Sequence, residues 1–199
     1  VFIETLHTPR YELDRSQDDL SMCDAERIGL QLHTAYCFDL SPRFTFRSVE
    51  AQLQPLDIDC GGGIVVRLTG TMDRARVAET DAGVVIPDIK TGSRVIEHGQ
   101  AKTKGRSAQL GTYQLMFEAD TGEQTAGAQV LALQTSSKPQ VAASEVFDAK
   151  RVMVGTETSR GLISHAAEMF RTGLFAPNPQ SMLCSPKYCA RWDTCSYHE

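Results

Sequence analysis

Residues 84–92 read VVIPDIKTG, a short apolar run closed by a turn signal. A run of this length, rich in β-branched residues, reads as a buried strand. Two charges sit in it, Asp88 and Lys90, spaced two apart. Residues two apart on a strand point the same way, so Val84, Ile86, Asp88 and Lys90 share one face and Val85, Pro87 and Ile89 the other. Pro87 has no N–H to give a ladder, which predicts an edge or a bulge just before Asp88, where the strand opens. Alone, the Asp-x-Lys pair reads as an ion pair at a strand end, solvated on one side.

The elements around this strand define a class. Residues 44–54 and 64–73 alternate as strands, and 83–91 makes a third after the turn ETDAG, so the three read as an antiparallel meander. The Pro/Asp/Gly-rich stretch PLDIDCGGG between the first two reads as a break. Helical periodicity predicts a helix over 17–37, with Leu20, Ile28, Leu32 and Ala35 on one side and Ser21 and Asp24 as caps. A second helix is expected over 107–119, with Leu110, Tyr113, Met116 and Phe117 on one face. A buried strand follows over 127–134, then a polar loop with Lys138 and Pro139, then a mainly helical stretch over 144–172 capped by Gly173. The expected fold is α/β, a mixed central sheet flanked by helices. At 199 residues the chain suits one domain spanning 1–199, with 177–199 an irregular, cysteine-rich tail.

Composition narrows the function classes. The apolar fraction of 41% and charged fraction of 23% are those of a globular protein, and no apolar run is long enough to cross a membrane. The first residues lack a basic region followed by an apolar one, so no signal peptide is expected and a cytoplasmic location is. A net charge of −5 argues against a nucleic-acid coat protein but leaves room for a local basic groove. Residues 90–106 supply such a stretch: Lys90, Arg94, Lys102, Lys104 and Arg106 stand against Glu97 alone.

The candidate chemistry begins with a second carboxylate. Asp73 ends the predicted strand 64–73, next to the strand that carries Asp88. Two inward carboxylates repel unless a cation joins them, and hard divalent ions with oxygen ligands, Mg²⁺ or Mn²⁺, suit the pair. Lys90 would then orient or deprotonate a water or steady a developing negative charge. Gln109 and Tyr113, four apart on a helix, share a face and can donate to a phosphate oxygen. Each residue also has a plainer role: Asp73 as a turn former, Gln109 as a surface residue, Tyr113 as a core ring with a wet hydroxyl, and His33 as an exposed helical histidine.

Taken in order, the helical His33, GTMDR (70–74), IPDIKTG (86–92) and QLGTYQL (109–115) form a string that resembles the RecB-type branch of the PD-(D/E)XK nucleases. The matching motifs are G-x-x-D-R, D-x-K-T-G and Q-x-x-x-Y. The resemblance implies a restriction-endonuclease-like core and a stand-alone, phage-like DNA exonuclease acting in recombination, repair or phage DNA processing. It implies Asp73, Asp88, the Ile89 carbonyl and His33 as metal ligands and Lys90 as the residue that manages the water. Gln109 and Tyr113 would hold the DNA backbone or orient the site, with Arg94, Lys102, Lys104 and Arg106 along the DNA. Linear ends or single strands are the implied substrate, and a recombinase or helicase the implied partner. A non-catalytic DNA-binding or scaffold member of the same fold is the rival.

The tail CSPKYCARWDTC spaces its cysteines C-x4-C-x5-C. Related nucleases hold a [4Fe–4S] cluster on C-terminal cysteines spaced C-x2-C-x5-C, where this chain has Pro186 at the first position, so Cys184 would serve with Cys189 and Cys195. A zinc site from these three and His198, or three ordinary free thiols, are the other readings.

Overall fold

A computed structural model of the chain describes residues 2–12, 20–79, 83–136, 138–175, 177–181 and 183–197. The chain starts with a short helix, α1 (Phe2–His7), and a longer one, α2 (Met22–Ala35). Ser21 caps α2 as expected: its hydroxyl accepts the Asp24 N–H at 3.1 Å. Ile28 and Leu32, one turn apart, bury the inner side of the helix. The helix does not run on to residue 37 as a regular α-helix. It widens into a π-helical turn over Tyr36–Leu40 and ends in a 3₁₀ turn containing Pro42. The part of the expected helix before Leu20 lies outside the described residues.

Eleven strands follow among the described residues. They are β1 (Phe46–Gln52), β2 (Leu56–Asp59), β3 (Val65–Leu68), β4 (Thr71–Val77), β5 (Val84–Gly92), β6 (Ile96–Glu97), β7 (Gln100–Ala101), β8 (Thr125–Gln134), β9 (Gln140–Ala143), β10 (Gly155–Thr156) and β11 (Ser159–Arg160). The helices among and after them are α3 (Ser107–Thr121), α4 (Lys150–Val154) and α5 (Leu162–Thr172). Five strands make the central sheet in the order β1-β4-β5-β8-β9. The pairing is antiparallel throughout except between β5 and β8, which run parallel over nine positions. A parallel pair needs a crossover, and α3 is that crossover. The mixed α/β class is therefore as expected.

Three expectations are corrected. The stretch 64–73 is two strands, not one: β3 pairs with β2 as a separate hairpin, and β4 joins the central sheet. The chain changes partner at Thr69–Gly70, where the Gly70 carbonyl accepts the Leu53 N–H at 3.3 Å. Alternation continues through such a switch, because period two reports which face is buried and not which neighbour is bonded. The Gly-rich break thus contains β2, and the polar loop after residue 134 leads into β9. The stretch 144–172 is interrupted by the β10–β11 hairpin, entered through Gly155 at φ +87°. Gly173 caps α5 in the left-handed conformation, as expected.

The core lies mostly between the sheet and α3. Val84 and Ile86 of β5 meet Met72, Ala75, Met116 and Phe117, while Val130 and Ala132 of β8 meet Leu110 and Ala149. Ile86 is fully buried, worth about 1.5–3 kcal/mol of apolar transfer for a side chain of that size. Tyr113 lies at the seam, packed against both clusters. On the other face, the buried Arg76 of β4 reaches past β5, its Nε donating to Gln129 Oε1 of β8 at 2.9 Å. Gln129 Nε2 donates in turn to the Ser144 carbonyl at 2.8 Å, so this buried polar chain is satisfied. Burial pulls the Arg76 guanidinium below its ordinary pKa.

Candidate active site

The site forms where the β4–β5 ladder stops. That ladder pairs Val77 with Val84 and Arg76 with Val85. Continued in the same register, it would set Arg74 opposite Pro87 and Asp73 opposite Asp88. Pro87 has no N–H to offer at that point, and the two strands part there. The expected opening is present, but not as a sheet edge: β5 is central and keeps its full pairing with β8.

Into the gap comes the Asp73 carboxylate. Its Oδ2 accepts the Ile89 N–H at 3.0 Å, replacing the backbone partner that β4 no longer supplies. A residue's N–H and C=O leave a strand on the same side, so the Ile89 carbonyl also faces this gap. Asp73 does not end its strand, as expected from 64–73. It sits near the start of β4, which continues to Val77.

Asp88 projects on the α3 side of the sheet and is 1% exposed. Lys90, one pleat further on the same face, places Nζ 2.8 Å from Asp88 Oδ2. The approach lies off the hydrogen-bonding axis, so the contact is an ion pair, and neither Asp88 oxygen has a well-directed hydrogen bond. Burial pushes the Asp88 carboxyl above its ordinary range. Lys90 opposes that, Asp73 adds to it by like-charge repulsion, and the charge of Arg106 weakly opposes it. Lys90 Nζ also donates to Gln109 Oε1 at 2.9 Å, and Gln109 Nε2 donates to the Tyr113 hydroxyl at 3.0 Å. Asp88, Lys90, Gln109 and Tyr113 are therefore one continuous chain of contacts from β5 to α3.

Gly70 belongs to the same construction. A Cβ there would stand 2.7 Å from Tyr113 Cε1, so the turn between β3 and β4 lets the tyrosine ring lie against bare backbone. The close approach is invisible in sequence, where Gly70 reads as one position of the strand 64–73 and the first residue of GTMDR.

The other candidates are placed differently. His33 is exposed on α2, with Cys37 Sγ 3.7 Å from its Nδ1. Among the described residues no three His, Cys, Asp or Glu side chains gather closely enough to hold an ion. His33 therefore does not complete a ligand set with Asp73 and Asp88 in this conformation. Nor do Cys184, Cys189 and Cys195 converge; each closes its own tight turn, with N–H bonds to Ser181, Ser185 and Trp192 carbonyls. His198 lies outside the described residues. Arg94 and Lys104 are exposed, Lys102 approaches Glu97 at 3.8 Å, and Arg106 is half-buried at the start of α3. A groove of about 460 Å³ between the β2–β3 hairpin and α5 includes neither Asp73 nor Asp88.

The donor set nevertheless fits a hard divalent ion. A buried carboxylate whose oxygens lack a well-directed hydrogen bond, a second carboxylate across the gap and a backbone carbonyl beside it are the kind of oxygen donors such an ion takes. Lys90 stands next to them.

No curated protein sequence matches the chain. Among solved structures, a protein of Eubacterium rectale provisionally named an exonuclease shares the fold, at a TM-score of 0.50 and 15% identity over 89% of this chain. The chain spans 62% of the length of that neighbour. No helix among the described residues is long and apolar enough to cross a membrane. The model of the PD-(D/E)XK nuclease superfamily matches residues 12–196, nearly the whole chain. With the two carboxylates, the lysine and the helix that tethers it all inside that match, the chain belongs to the PD-(D/E)XK nuclease superfamily.

Proposed function

We propose that the chain is a divalent-metal-dependent deoxyribonuclease of the RecB type, an exonuclease on linear or single-stranded DNA, built as one nuclease domain. The observation that carries the reading is Asp88: a carboxylate 1% exposed, pushed toward protonation by its burial, with oxygens lacking well-directed hydrogen bonds beside a second carboxylate. Burying such a group is costly unless a cation completes it. Asp73, Asp88 and the Ile89 carbonyl would hold Mg²⁺ or Mn²⁺. A bound ion supplies Lewis acidity to the phosphate and lowers the pKa of water.

The residues of the chain do the rest. Lys90, held by Asp88 and Gln109, orients the attacking water against the phosphorus. Gln109 fixes Lys90, and Tyr113 fixes Gln109, so the lysine needs no reorganisation at the moment of reaction. The exposed Arg94 and Lys104 and the neighbouring Lys102 offer phosphate contacts along the strand, a local basic stretch on an acidic molecule. Recombination, repair or phage DNA processing are the settings this activity suits.

The test compares linear and covalently closed circular DNA, single- and double-stranded, with Mg²⁺, Mn²⁺ or EDTA. Release of nucleotides from linear substrates alone, lost in EDTA and in Asp88→Ala, is expected. Binding of DNA that survives EDTA with no cleavage under either metal would establish the non-catalytic rival.

A further inference from the structure

The chain of contacts that holds Lys90 also removes it from one task. Its ammonium is committed to Asp88 Oδ2 at 2.8 Å and Gln109 Oε1 at 2.9 Å. A phosphodiester carries one negative charge and gains a second as water adds to phosphorus. With both carboxylates ionised, a divalent ion and Lys90 leave the site one net positive charge, which matches the phosphodiester's first negative charge and not its second. The growing charge on the phosphate therefore needs another cation at the site.

Arg106 is where that cation stands. It is the residue immediately before α3, three positions before Gln109 and seven before Tyr113, so it lies on the helix side that faces the site. It is half-buried, and among the described residues no carboxylate lies within ion-pairing distance of its guanidinium. It is near enough to Asp88 for its charge to act on that carboxylate. The other basic residues of the stretch differ: Lys102 leans toward Glu97, and Arg94 and Lys104 are exposed. The first turn of α3 carries no acid to compete for the guanidinium.

We propose that Arg106 is a catalytic residue that grips the non-bridging oxygens of the scissile phosphate, and is not one more contact along the DNA backbone. The inference rests on the nuclease reading. In the step itself, water oxygen bonds to phosphorus and gives up a proton to solvent. The bond from phosphorus to the leaving sugar oxygen breaks, and that oxygen takes a proton. The products are a terminal phosphate monoester and a sugar hydroxyl. Arg106, with a planar fork of N–H donors, matches two phosphate oxygens at once and holds them more tightly as their charge grows.

The experiment uses the full chain and a fluorescently labelled linear oligonucleotide, with cleavage measured in Mg²⁺ or Mn²⁺ and binding measured by anisotropy in Ca²⁺. Arg106→Ala is expected to lower kcat by roughly 10²–10³-fold, the loss typical of one transition-state donor, with DNA Kd within about threefold of wild type. Arg106→Lys is expected to recover part of kcat, because it restores charge without the fork. Lys104→Ala is the comparison for a plain backbone contact, and is expected to weaken Kd. An Arg106→Ala enzyme that folds with the wild-type Tm and keeps kcat within about threefold, or loses affinity alone, overturns the proposal. Wild-type protein that cuts no DNA overturns the nuclease reading itself, and the assignment of Arg106 falls with it.

Discussion

At the scale of the residue, Asp88 carries an energetic conflict. Its carboxyl binds a proton more tightly in the folded chain than in the unfolded one, chiefly because it is buried. The sign follows from linkage. The stabilisation is fully present below the unfolded value, about 3.9 for an aspartate, and is lost as pH rises through the raised folded value. Where Asp88 is ionised, its charge is therefore a cost to the fold. Asp88→Asn is expected to raise Tm at pH 7 in EDTA by roughly 2–4 °C, the shift made by about 1 kcal/mol in a chain of this length, while abolishing cleavage. The gain should shrink as pH falls toward about 4. An Asn variant less stable than wild type at pH 7 would show that the Lys90 pair outweighs the burial.

At the scale of the element, the site depends on where strands part and where a helix is allowed to come close. Pro87 ends one ladder without breaking β5, since the nine-position pairing with β8 carries the strand through. Gly70 admits the Tyr113 ring, and that ring anchors Gln109. Gly70→Ala is expected to cost about 1–3 kcal/mol by overpacking and to reduce activity by displacing the ring. Tyr113→Ala in the same chain should relieve most of that added cost, so a double-mutant cycle by thermal unfolding should give a large coupling. Independent, additive losses would mean that the two residues do not collide. The elements are unevenly legible in the sequence. The caps Ser21 and Gly173 and the strand 84–92 are local signals and can be read directly. The division of 64–73 into β3 and β4 cannot, because the alternation of side chains is the same whether a strand stays in one sheet or changes partner.

At the scale of the whole molecule, the proposed function asks a net negative chain to bind a polyanion. On that proposal the basic residues of 90–106 would provide the contact, and the exposure of Arg94 and Lys104 would make it salt-dependent. Replacing Arg94 and Lys104 together by alanine is expected to flatten the slope of log K against log salt by about 1.8 for double-stranded and about 1.4 for single-stranded DNA. An unchanged slope would place the DNA elsewhere on the surface. The tail belongs to this scale as well: its three cysteines sit in successive tight turns and do not gather. Spacing along the chain therefore does not decide whether three thiols meet, because each turn sets its own direction.

Sequence alone picked out the candidate residues of the site. Asp73, Asp88, Lys90, Gln109 and Tyr113 were identifiable because period two on strands and period 3.6 on helices put them on shared faces, and their order matched a known string. The tertiary structure decided how they are placed against one another. It set Asp73 on the backbone N–H of Ile89, tied Lys90 between Asp88 and Gln109, left His33 exposed on α2 and brought the charge of Arg106 to bear on Asp88. These are contacts between segments far apart in sequence, and local pattern carries no information on the distance between two elements or on which polar group is left without a partner.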